Sequence, residues 1–547
     1  MAVLEVGSTP VPEGRAVDHD VVVVGAGFAG LYALHVLRQR GFTARAYDKA
    51  DGIGGTWFWN RYPGARVDVQ SCEYMFTKFA DLEQEWDWTE LMPAQEEIER
   101  YLNFVADRLD LRRDVQLGTA VEAMRFDEAT STWEVALSTG EWVRSSFVIA
   151  ATGCLSAPLE PAIEGLHAFA GDTFFTNRFP KGGYDFTGKR VAVVGTGSSG
   201  VQSIPVIAAQ AARLHVLQRS AAYTIPSPNR PLDAGELAAL KGQYPEIRKA
   251  QWASPIGSAR FGAVFQGLEL PDILDTPMEQ RIERVEALGV LGAFVWGDTR
   301  QDVEANDAAR HLYAEAIKRI VHDAQTAADL VPTYPLGCKR VIIDQGYFPV
   351  FNEPHVTLVN LRRTPIARVV PEGVELADGT LLELDAIVYA TGFDAMTGAL
   401  SRIDVRGRGG RSLGDEWAAA AQAYLGLAVE GFPNLFTVTG PGSPSVLTNM
   451  VTSIEHHVEW VADLLDAMRA EGEHVVEAEA AAQAEWADHV TGLAGPLQVH
   501  ESCSSWYLGA NVPGKARAYL PYAGGLTTYI DRCAEIAADG YPGFVRT

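Results

Sequence analysis

The sequence predicts an α/β fold made of two parallel-sheet units and a helical insertion, and three observations support this class. A run of apolar, β-branched residues ends in the glycine pattern G-x-G-x-x-G at 21–30, and a second such run ends in the same pattern at 190–200. Residues 223–332 then break the alternation of strands and helices. A strand, a glycine turn and a helix in this order are typical of Rossmann-like dinucleotide-binding domains.

The first unit begins with a buried strand. Consecutive valines from Val21 precede Gly25, Gly27 and Gly30, and a helix is expected at about 28–40. Gly25 allows the tight turn, Gly27 lets a pyrophosphate approach the backbone, and Gly30 lets the helix pack closely on the strand. The free N–H groups at the start of that helix favour a bound phosphate. The unit therefore predicts a dinucleotide site.

Further segments of the first unit support the same site. A second strand, 43–47, ends at Asp48, whose carboxylate would accept hydrogen bonds from a ribose. The segment 54–68 is dense in aromatic, glycine and charged residues, so we expect it to be a loop over a ligand. Alternating stretches at 133–137 and 142–148 predict an antiparallel layer on the first sheet.

Two apolar strands that end in Ala-Thr-Gly predict where the chain crosses between the units. Residues 147–151 run into Thr152 and Gly153, and residues 386–390 run into Thr391 and Gly392. A chance likeness between two short apolar strands is the alternative.

The second unit differs from the first in the charge at the end of its second strand. The glycine pattern recurs at 195–200, and the strand 214–217 is followed by Gln218, Arg219 and Ser220. Arg219 would attract a ribose 2′-phosphate, which Asp48 would repel. The first site is therefore predicted to bind FAD and the second NADP; an ordinary surface arginine is the alternative.

A helical insertion is expected within the second unit. Stretches 236–249 and 307–328 are helix-like, strands resume near 341–343 and 356–359, and a long helix is expected at 453–471. The predicted division is an N-terminal arm at 1–19, an FAD-binding domain at 20–153 and 386–547, an NADP-binding domain at 154–222 and 333–385, and the helical insertion at 223–332.

Composition excludes several classes of protein. A net charge of −25 disfavours a nucleic-acid partner. None of the five cysteines forms a C-x-x-C or C-x4-C pair, which argues against a zinc site and a flavin disulfide reductase, and no metal is expected. The scattered thiols are typical of a reducing cytoplasm. The start of the chain has no signal-peptide pattern, and the apolar run 287–297 is too short to span a membrane, so no membrane partner is expected.

A longer motif identifies a family. Residues 54–68 meet G-G-x-W-x4-[FY]-P-G-x3-D in full, with Trp57, Tyr62, Pro63 and Gly64 in place, and further matching segments lie at 334–340, 440–450 and 505–515. From Asp20 onward the chain resembles the single-chain, FAD- and NADPH-dependent Baeyer–Villiger monooxygenases, and it is most similar to their phenylacetone and steroid monooxygenase branch.

One fingerprint of that family is met only in part. In F-x-G-x3-H-x3-[WF]-P, the residues Phe169, Gly171 and Pro180 fit, but Phe175 stands in place of histidine. Phe179 stands where Baeyer–Villiger enzymes usually have tryptophan. By chain order we expect this segment in a linker between the two domains, so the departure concerns how the domains communicate.

The resemblance implies a reaction and the residues that perform it. NADPH would reduce FAD, O2 would add to give a C4a-peroxyflavin, and one oxygen would enter beside the carbonyl of an apolar ketone. Arg340 would supply a permanent cation for the negative charge, and Asp68 would hold and orient it. Lys339 would join Arg219 at the 2′-phosphate, and Trp506 would close over the nicotinamide.

The substrate loop is expected at Ser445, Val446 and Leu447. The expected cofactor contacts are Gly25, Gly27, Gly30, Asp48, Lys49, Gly55, Thr56, Trp57, Asp68, Tyr74, Val121, Met450, Gly195, Thr196, Gly197, Ser198, Ser199, Gly200, Gln202, Arg219, Ser220, Lys339, Arg340 and Trp506.

Alternatives remain for the residues and for the function. Read alone, Lys339 and Arg340 fit a solvated patch, and Asp68 fits the cap of a helix or turn. Ordinary core residues are the alternative for Trp506, Tyr74, Val121 and Met450. At the level of function, the alternatives are a flavin monooxygenase that acts on sulfur or nitrogen, and a flavin-binding redox protein without turnover. The oligomeric state is left open.

Overall fold

The computed structural model describes residues 17–260, 268–495 and 502–547. Most of the predicted N-terminal arm, 1–19, therefore lies outside the described residues.

The strands are β1 (His19–Val24), β2 (Ala44–Tyr47), β3 (Val115–Gln116), β4 (Val121–Asp127), β5 (Thr132–Leu137), β6 (Trp142–Ala150), β7 (Asp172–Phe175), β8 (Arg190–Val194), β9 (Arg213–Gln218), β10 (Thr224–Pro226), β11 (Ile342–Asp344), β12 (Val356–Asn360), β13 (Ile366–Val370), β14 (Gly373–Leu376), β15 (Leu381–Glu383), β16 (Ala386–Tyr389), β17 (Asp404–Arg406), β18 (Leu435–Thr437), β19 (Val476–Ala478) and β20 (Phe544–Arg546).

The helices are α1 (Phe28–Gln39), α2 (Thr56–Trp59), α3 (Ala80–Glu85), α4 (Gln95–Arg108), α5 (Ser198–Ala208), α6 (Ala234–Gly242), α7 (Tyr244–Trp252), α8 (Met278–Leu288), α9 (Val303–Ile320), α10 (Ala324–Asp329), α11 (Gly398–Ser401), α12 (Leu413–Ala419), α13 (Met450–Glu471), α14 (Ala480–Gly492) and α15 (Leu526–Ala538).

The first sheet has eight strands in the order β17-β4-β5-β6-β1-β2-β3, with β18 also paired to β6. β1 runs parallel to β2 and β6, and α1 packs on α13 over one face. The predicted antiparallel layer is wrong as a separate layer. The long strand β6 pairs antiparallel with β5 at 142–145 and parallel with β18 at 148–150, so the alternating stretches extend the same sheet.

The second sheet is parallel throughout, in the order β12-β9-β8-β16-β7. This topology confirms the second predicted dinucleotide-binding unit and corrects two details. The predicted domain boundary at 386 falls at the start of β16, a strand of this second sheet. The fingerprint segment 169–180 is also no linker, because β7 lies within it and forms the edge of the sheet beside β16.

The two Ala-Thr-Gly segments do carry the chain between the sheets, and they run side by side. Leu159 N donates to Gly392 O at 3.0 Å and Asp394 N donates to Ala157 O at 2.9 Å. Pro158 and Phe393 form an antiparallel bridge. We call residues 152–159 together with 390–396 the crossover ribbon.

The helical insertion is present, but both of its predicted helices are divided. The stretch 236–249 forms α6 and α7, because Pro245 starts a new helix in the first turn of α7. The stretch 307–328 forms α9 and α10, and Asp323 caps α10 by accepting a hydrogen bond from Thr326 N at 2.8 Å. The pairing of β10 with β11 closes the insertion.

Smaller antiparallel sheets, β13-β14-β15 and β19-β20, complete the fold. Within the described ranges, no helix has the length and apolar character needed to cross a membrane.

Candidate functional site

The first glycine turn has the tight geometry that the sequence predicts. Gly25 has a φ of +113°, and a Cβ on Gly30 would lie 1.9 Å from Gly25 O. Asp48 follows β2 as expected, and its Oδ2 accepts a hydrogen bond from Ala26 N at 2.7 Å. Burial raises the pKa of Asp48. Asp48 therefore braces the turn in addition to the ribose contact that we expect of it.

The segment 54–68 covers this turn. Gly54 N donates to Ala26 O at 3.2 Å, and a Cβ on Gly27 would lie 3.3 Å from Gly55 Cα. The segment is not a loop throughout, since the short helix α2 lies within it. Trp57 Nε1 donates to Tyr74 Oη at 3.2 Å, which joins two of the predicted FAD contacts.

Arg340 is held by two acceptors from distant parts of the chain. Its Nε donates to Asp68 Oδ2 at 2.6 Å, and its Nη1 donates to Val446 O at 3.0 Å. Its side chain is 33% exposed. The charge of Asp68 raises the pKa of Arg340, so the guanidinium stays charged. The cation, its predicted carboxylate partner and the predicted substrate loop therefore meet at one point.

Val446 belongs to a 3-10 turn, Ser445–Leu447, immediately before α13. Ser445 has a φ of +41° and lies against the thioethers of Met396 and Met450, with Oγ–Sδ distances of 3.8 and 3.9 Å. Met396 also has a positive φ, +68°. Strained backbone of this kind clusters at functional sites, and here Ser445 directly precedes the arginine's partner Val446 while Met396 lies against Ser445.

In the segment 502–515, sequence reasoning predicted Trp506 but missed its neighbour Tyr507. Trp506 is half-buried, and its ring lies 4.5 Å from that of Tyr507. Tyr507 is buried, which raises its pKa, while the charge of Arg340 acts in the opposite direction. The only sequence signal for Tyr507 is its position next to Trp506 in a segment that matches the family.

The structure also corrects the description of the cysteines. Cys338 and Cys503 form a disulfide, with 5.7 Å between their Cα atoms, so they are not scattered thiols. They are 165 residues apart and fit no spacing pattern, which is why sequence reasoning did not pair them. Cys72, Cys154 and Cys533 are free and buried. The disulfide joins the segment of Arg340 to the segment of Trp506.

The second glycine turn repeats the first. A Cβ on Gly195 would lie 2.5 Å from Ala390 O, just as one on Gly25 would lie 2.6 Å from Ala151 O. A Cβ on Gly197 would meet nothing within 4 Å, so this glycine faces open space. A closed turn with an open central glycine, at the start of α5, fits the phosphates of a bound dinucleotide.

Helix α5 docks on the segment 54–68. Tyr62 Oη donates to Gln202 Oε1 at 2.8 Å, and Gln202 Nε2 donates to Arg66 O at 3.1 Å. Gly64 permits the approach, since a Cβ there would lie 2.4 Å from Gln202 O. The predicted contact Gln202 thus links the two units.

The predicted 2′-phosphate residues lie on one side of the second turn. Arg219 is exposed at the end of β9, and Thr196 Oγ1 donates to the neighbouring Ser220 O at 2.9 Å. Lys339 Nζ lies 4.5 Å from the centre of the Tyr334 ring. Burial, followed by the charges of Arg219 and Arg362, lowers the pKa of Lys339 to about 8.

The remaining expected contacts are more dispersed. Lys49 Nζ donates to Ser156 O at 3.3 Å, on the crossover ribbon. Val121 begins β4, where it pairs with Leu137. Ser198 and Ser199 form the first turn of α5.

Comparison with known proteins adds to this geometry. The family model described as flavin-binding monooxygenase-like matches residues 18–235. The chain is 40% identical to an acetone monooxygenase (methyl acetate-forming) of Gordonia sp. (strain TY-5), over 96% of this chain and 98% of that protein. It is 38% identical to a Baeyer–Villiger monooxygenase of Pseudooceanicola batsensis, over 97% and 96%. It is 36% identical to the phenazine N-monooxygenase PhzNO1 of Lysobacter antibioticus, over 96% of each chain.

Solved structures are similar over the same length. An oxidized steroid monooxygenase bound to NADP is 44% identical, with a TM-score of 0.88 over 97% of this chain and 99% of the other. A structure of OTEMO in complex with FAD and NADP is 34% identical, with a TM-score of 0.90 over 97% and 100%.

Proposed function

The chain belongs to the Baeyer–Villiger monooxygenases, within the flavin-binding monooxygenase-like family. From this membership and from the geometry of the site, we propose that it oxygenates an apolar ketone. It is an FAD-containing, NADPH-dependent enzyme that inserts one oxygen of O2 next to a ketone carbonyl to give an ester or a lactone. The observation that carries the residue assignment is the contact of Arg340 with both Asp68 and Val446.

When bound and reduced by NADPH, FAD would activate O2, which is the source of the inserted oxygen. The protein's contribution is charge and position. Arg340 places a fixed cation where the carbonyl oxygen of the ketone becomes negative. In many enzymes, such preorganised charge is the largest single contribution to stabilising the transition state. Asp68 fixes the guanidinium through Nε, and Val446 O fixes it through Nη1. The ketone would bind against the 3-10 turn that carries Val446.

The surroundings of this turn support an apolar substrate. Val446 is buried, and the thioethers of Met396 and Met450 lie against the neighbouring Ser445. An uncharged ketone with an alkyl or aromatic arm fits these contacts.

Product analysis tests the assignment. The purified FAD enzyme is given NADPH, 18O2 and a panel of linear, cyclic and aromatic ketones, and products are identified by mass spectrometry. We expect an ester or lactone that carries one 18O atom. If NADPH is consumed and every ketone is recovered unchanged, the proposal that the enzyme oxygenates ketones is wrong.

A second candidate is oxygenation of a ring nitrogen, because one full-length relative is a phenazine N-monooxygenase. A phenazine and an aryl sulfide therefore belong in the same panel. An N-oxide or a sulfoxide, formed without any ester, would support the second candidate. The positioned cation favours the first, since a nucleophilic nitrogen or sulfur attacking an oxygen atom develops no comparable oxyanion.

We also propose that the enzyme works in the cytoplasm, where NADPH is supplied. The disulfide agrees with this only if it resists cellular thiols, and burial supports that resistance because Cys338 is 1% exposed and Cys503 is 0% exposed. Cell fractionation followed by a thiol-labelling assay would test both points.

A further inference from the structure

Three cations gather beside the second glycine turn without a carboxylate partner among the described residues. They are Arg219, Lys339 and Arg362, from three separate segments of the chain. Two of them act on the third, since Arg219 and Arg362 both lower the pKa of Lys339. Like charges repel one another, and an anion bound among them would relieve that repulsion.

Arg362 is fixed in this group by neutral partners. Its Nη1 donates to Thr333 Oγ1 at 3.1 Å, and its Nη2 donates to Ser220 Oγ at 3.3 Å. The backbone supports the placement, because Leu361 N donates to Gln218 O at 2.8 Å. The two hydroxyls orient the guanidinium without neutralising it, and Ser220 directly follows Arg219.

The next residue shows the opposite arrangement. Arg363 Nη1 donates to Asp329 Oδ1 at 2.6 Å, and its Nη2 contacts the other oxygen of the same carboxylate. Asp329 Oδ1 also accepts a hydrogen bond from Asn360 Nδ2 at 3.0 Å. Adjacent arginines on one loop are therefore in different states: Arg363 is neutralised within the protein, and Arg362 keeps its charge for a ligand.

We infer that Arg362 binds the 2′-phosphate of NADP(H) together with Arg219 and Lys339, and that it contributes to the preference for NADPH over NADH. A 2′-phosphate brings about two negative charges and several acceptor oxygens to the ribose edge. Arginine can donate two parallel hydrogen bonds to such a group. NADH presents only hydroxyls there and would leave the cations unpaired.

The test compares matched variants of the FAD-loaded enzyme, Arg362→Gln and Arg363→Gln, by calorimetric titration. The probes are adenosine 2′,5′-bisphosphate and adenosine 5′-monophosphate, which differ only in the 2′-phosphate. We expect Arg362→Gln to weaken bisphosphate binding by about 10-fold or more, as loss of a charge-assisted hydrogen bond implies, and to leave monophosphate binding unchanged. Arg363→Gln should change neither.

Steady-state kinetics give a second measurement. For Arg362→Gln, the KM for NADPH should rise by a similar factor while kcat at saturating NADPH stays near wild type, and Arg362→Lys should recover part of the loss. An equal loss for both probes, or an equal effect of Arg363→Gln, would overturn the assignment. The titrations measure binding alone, so they remain valid even if the wild type oxygenates no ketone.

Discussion

Arg340 has partners of two kinds, a carboxylate and a backbone carbonyl, and each fixes a different edge of its guanidinium. Replacement by alanine removes the cation but touches neither glycine turn. We expect Arg340→Ala to bind FAD and to be reduced by NADPH, and to lose ester formation by about 10²–10³-fold, as loss of an oxyanion stabiliser does in other enzymes. Stopped-flow reduction and product yield separate the two steps; ester formation within a few-fold of wild type would contradict the role of Arg340.

Lys339 gives a pH dependence of its own. With a pKa lowered to about 8, Lys339 is charged below that pH and neutral above it. Attraction to a 2′-phosphate is therefore lost as the pH rises through about 8. We expect the KM for NADPH to climb between pH 7 and 9, and Lys339→Arg to flatten the climb. A pH profile for NADH serves as the control and should show no such rise.

At this scale, the sequence predicted those residues whose chemistry is tied to a long motif. Asp68 and Arg340 lie in separate matching segments, and their contact was expected. Tyr507 and the Cys338–Cys503 disulfide were not, because side chains that meet only in three dimensions leave no mark on local spacing. Arg362 carries no local signal either, since its neighbour Arg363 looks the same in sequence.

Among the elements, β7 has the most unexpected role. Phe175 lies at the edge of the second sheet, stacked 5.0 Å from the ring of Tyr389 in β16, immediately before the crossover ribbon. Within the described residues the buried hydroxyl of Tyr389 has no hydrogen-bond partner. Phe179 packs elsewhere, 5.0 Å from Phe174. The two phenylalanines therefore support different parts of the sheet.

A histidine at 175 would place an imidazole against the Tyr389 ring, and an imidazole, unlike a phenyl ring, can donate or accept a hydrogen bond at this edge of the sheet. We expect wild type to release some hydrogen peroxide even with a good ketone, and Phe175→His to release less per NADPH consumed without changing FAD affinity. Phe179→His is the control and should not lower the peroxide fraction. An unchanged fraction in Phe175→His would mean that β7 does not influence coupling.

Helix α13 contains a buried acid that sets a second pH dependence. Glu455 accepts hydrogen bonds from Thr77 N and Oγ1, both at 2.6 Å, and burial raises its pKa to about 7. In the unfolded chain, Glu455 would lose its proton near pH 4.5, whereas in the folded state it keeps the proton up to about pH 7. Because the folded state binds more protons in this range, its stability falls as the pH rises from about 4.5 to 7.

Glu455→Gln should remove that loss, which is about 3 kcal/mol at most. The melting temperature of Glu455→Gln should therefore rise relative to that of wild type between pH 5 and 8. Glu459→Gln, one turn further along α13 and half-exposed, is the matched control. Parallel curves for wild type and Glu455→Gln would show that Glu455 does not titrate in this range.

Element types were predictable wherever the hydrophobic period was regular. The strands beside both glycine turns, α1 and α13 lie close to their expected positions. Strand pairing was less predictable, because period-two alternation shows that a face is buried but not which strand lies beside it. This explains why β5 and β6 were expected as a separate layer and β7 as part of a linker.

For the whole molecule, the disulfide closes a loop of 165 residues that includes Arg340 and the 3-10 turn Ser445–Leu447. In the chain-entropy account, a loop of this length stabilises the folded state by about 5 kcal/mol. We expect a strong reductant that reaches the buried bond to lower the melting temperature by several degrees. The double variant Cys338→Ser with Cys503→Ser should melt at the lower temperature with or without reductant; a reductant effect that persists in it would exclude this bond as the cause.

The crossover ribbon has a consequence for motion. A single connecting strand would let one sheet swivel freely about the other, but two strands joined by backbone hydrogen bonds resist bending within their own plane. Lys515 adds a third attachment, with Nζ donating to Asp394 Oδ1 and Thr397 Oγ1 at 2.6 Å each. We therefore expect the sheets to move relative to one another by a hinge bend out of the plane of the ribbon. In such a bend, the two glycine turns would change their separation and keep their mutual alignment.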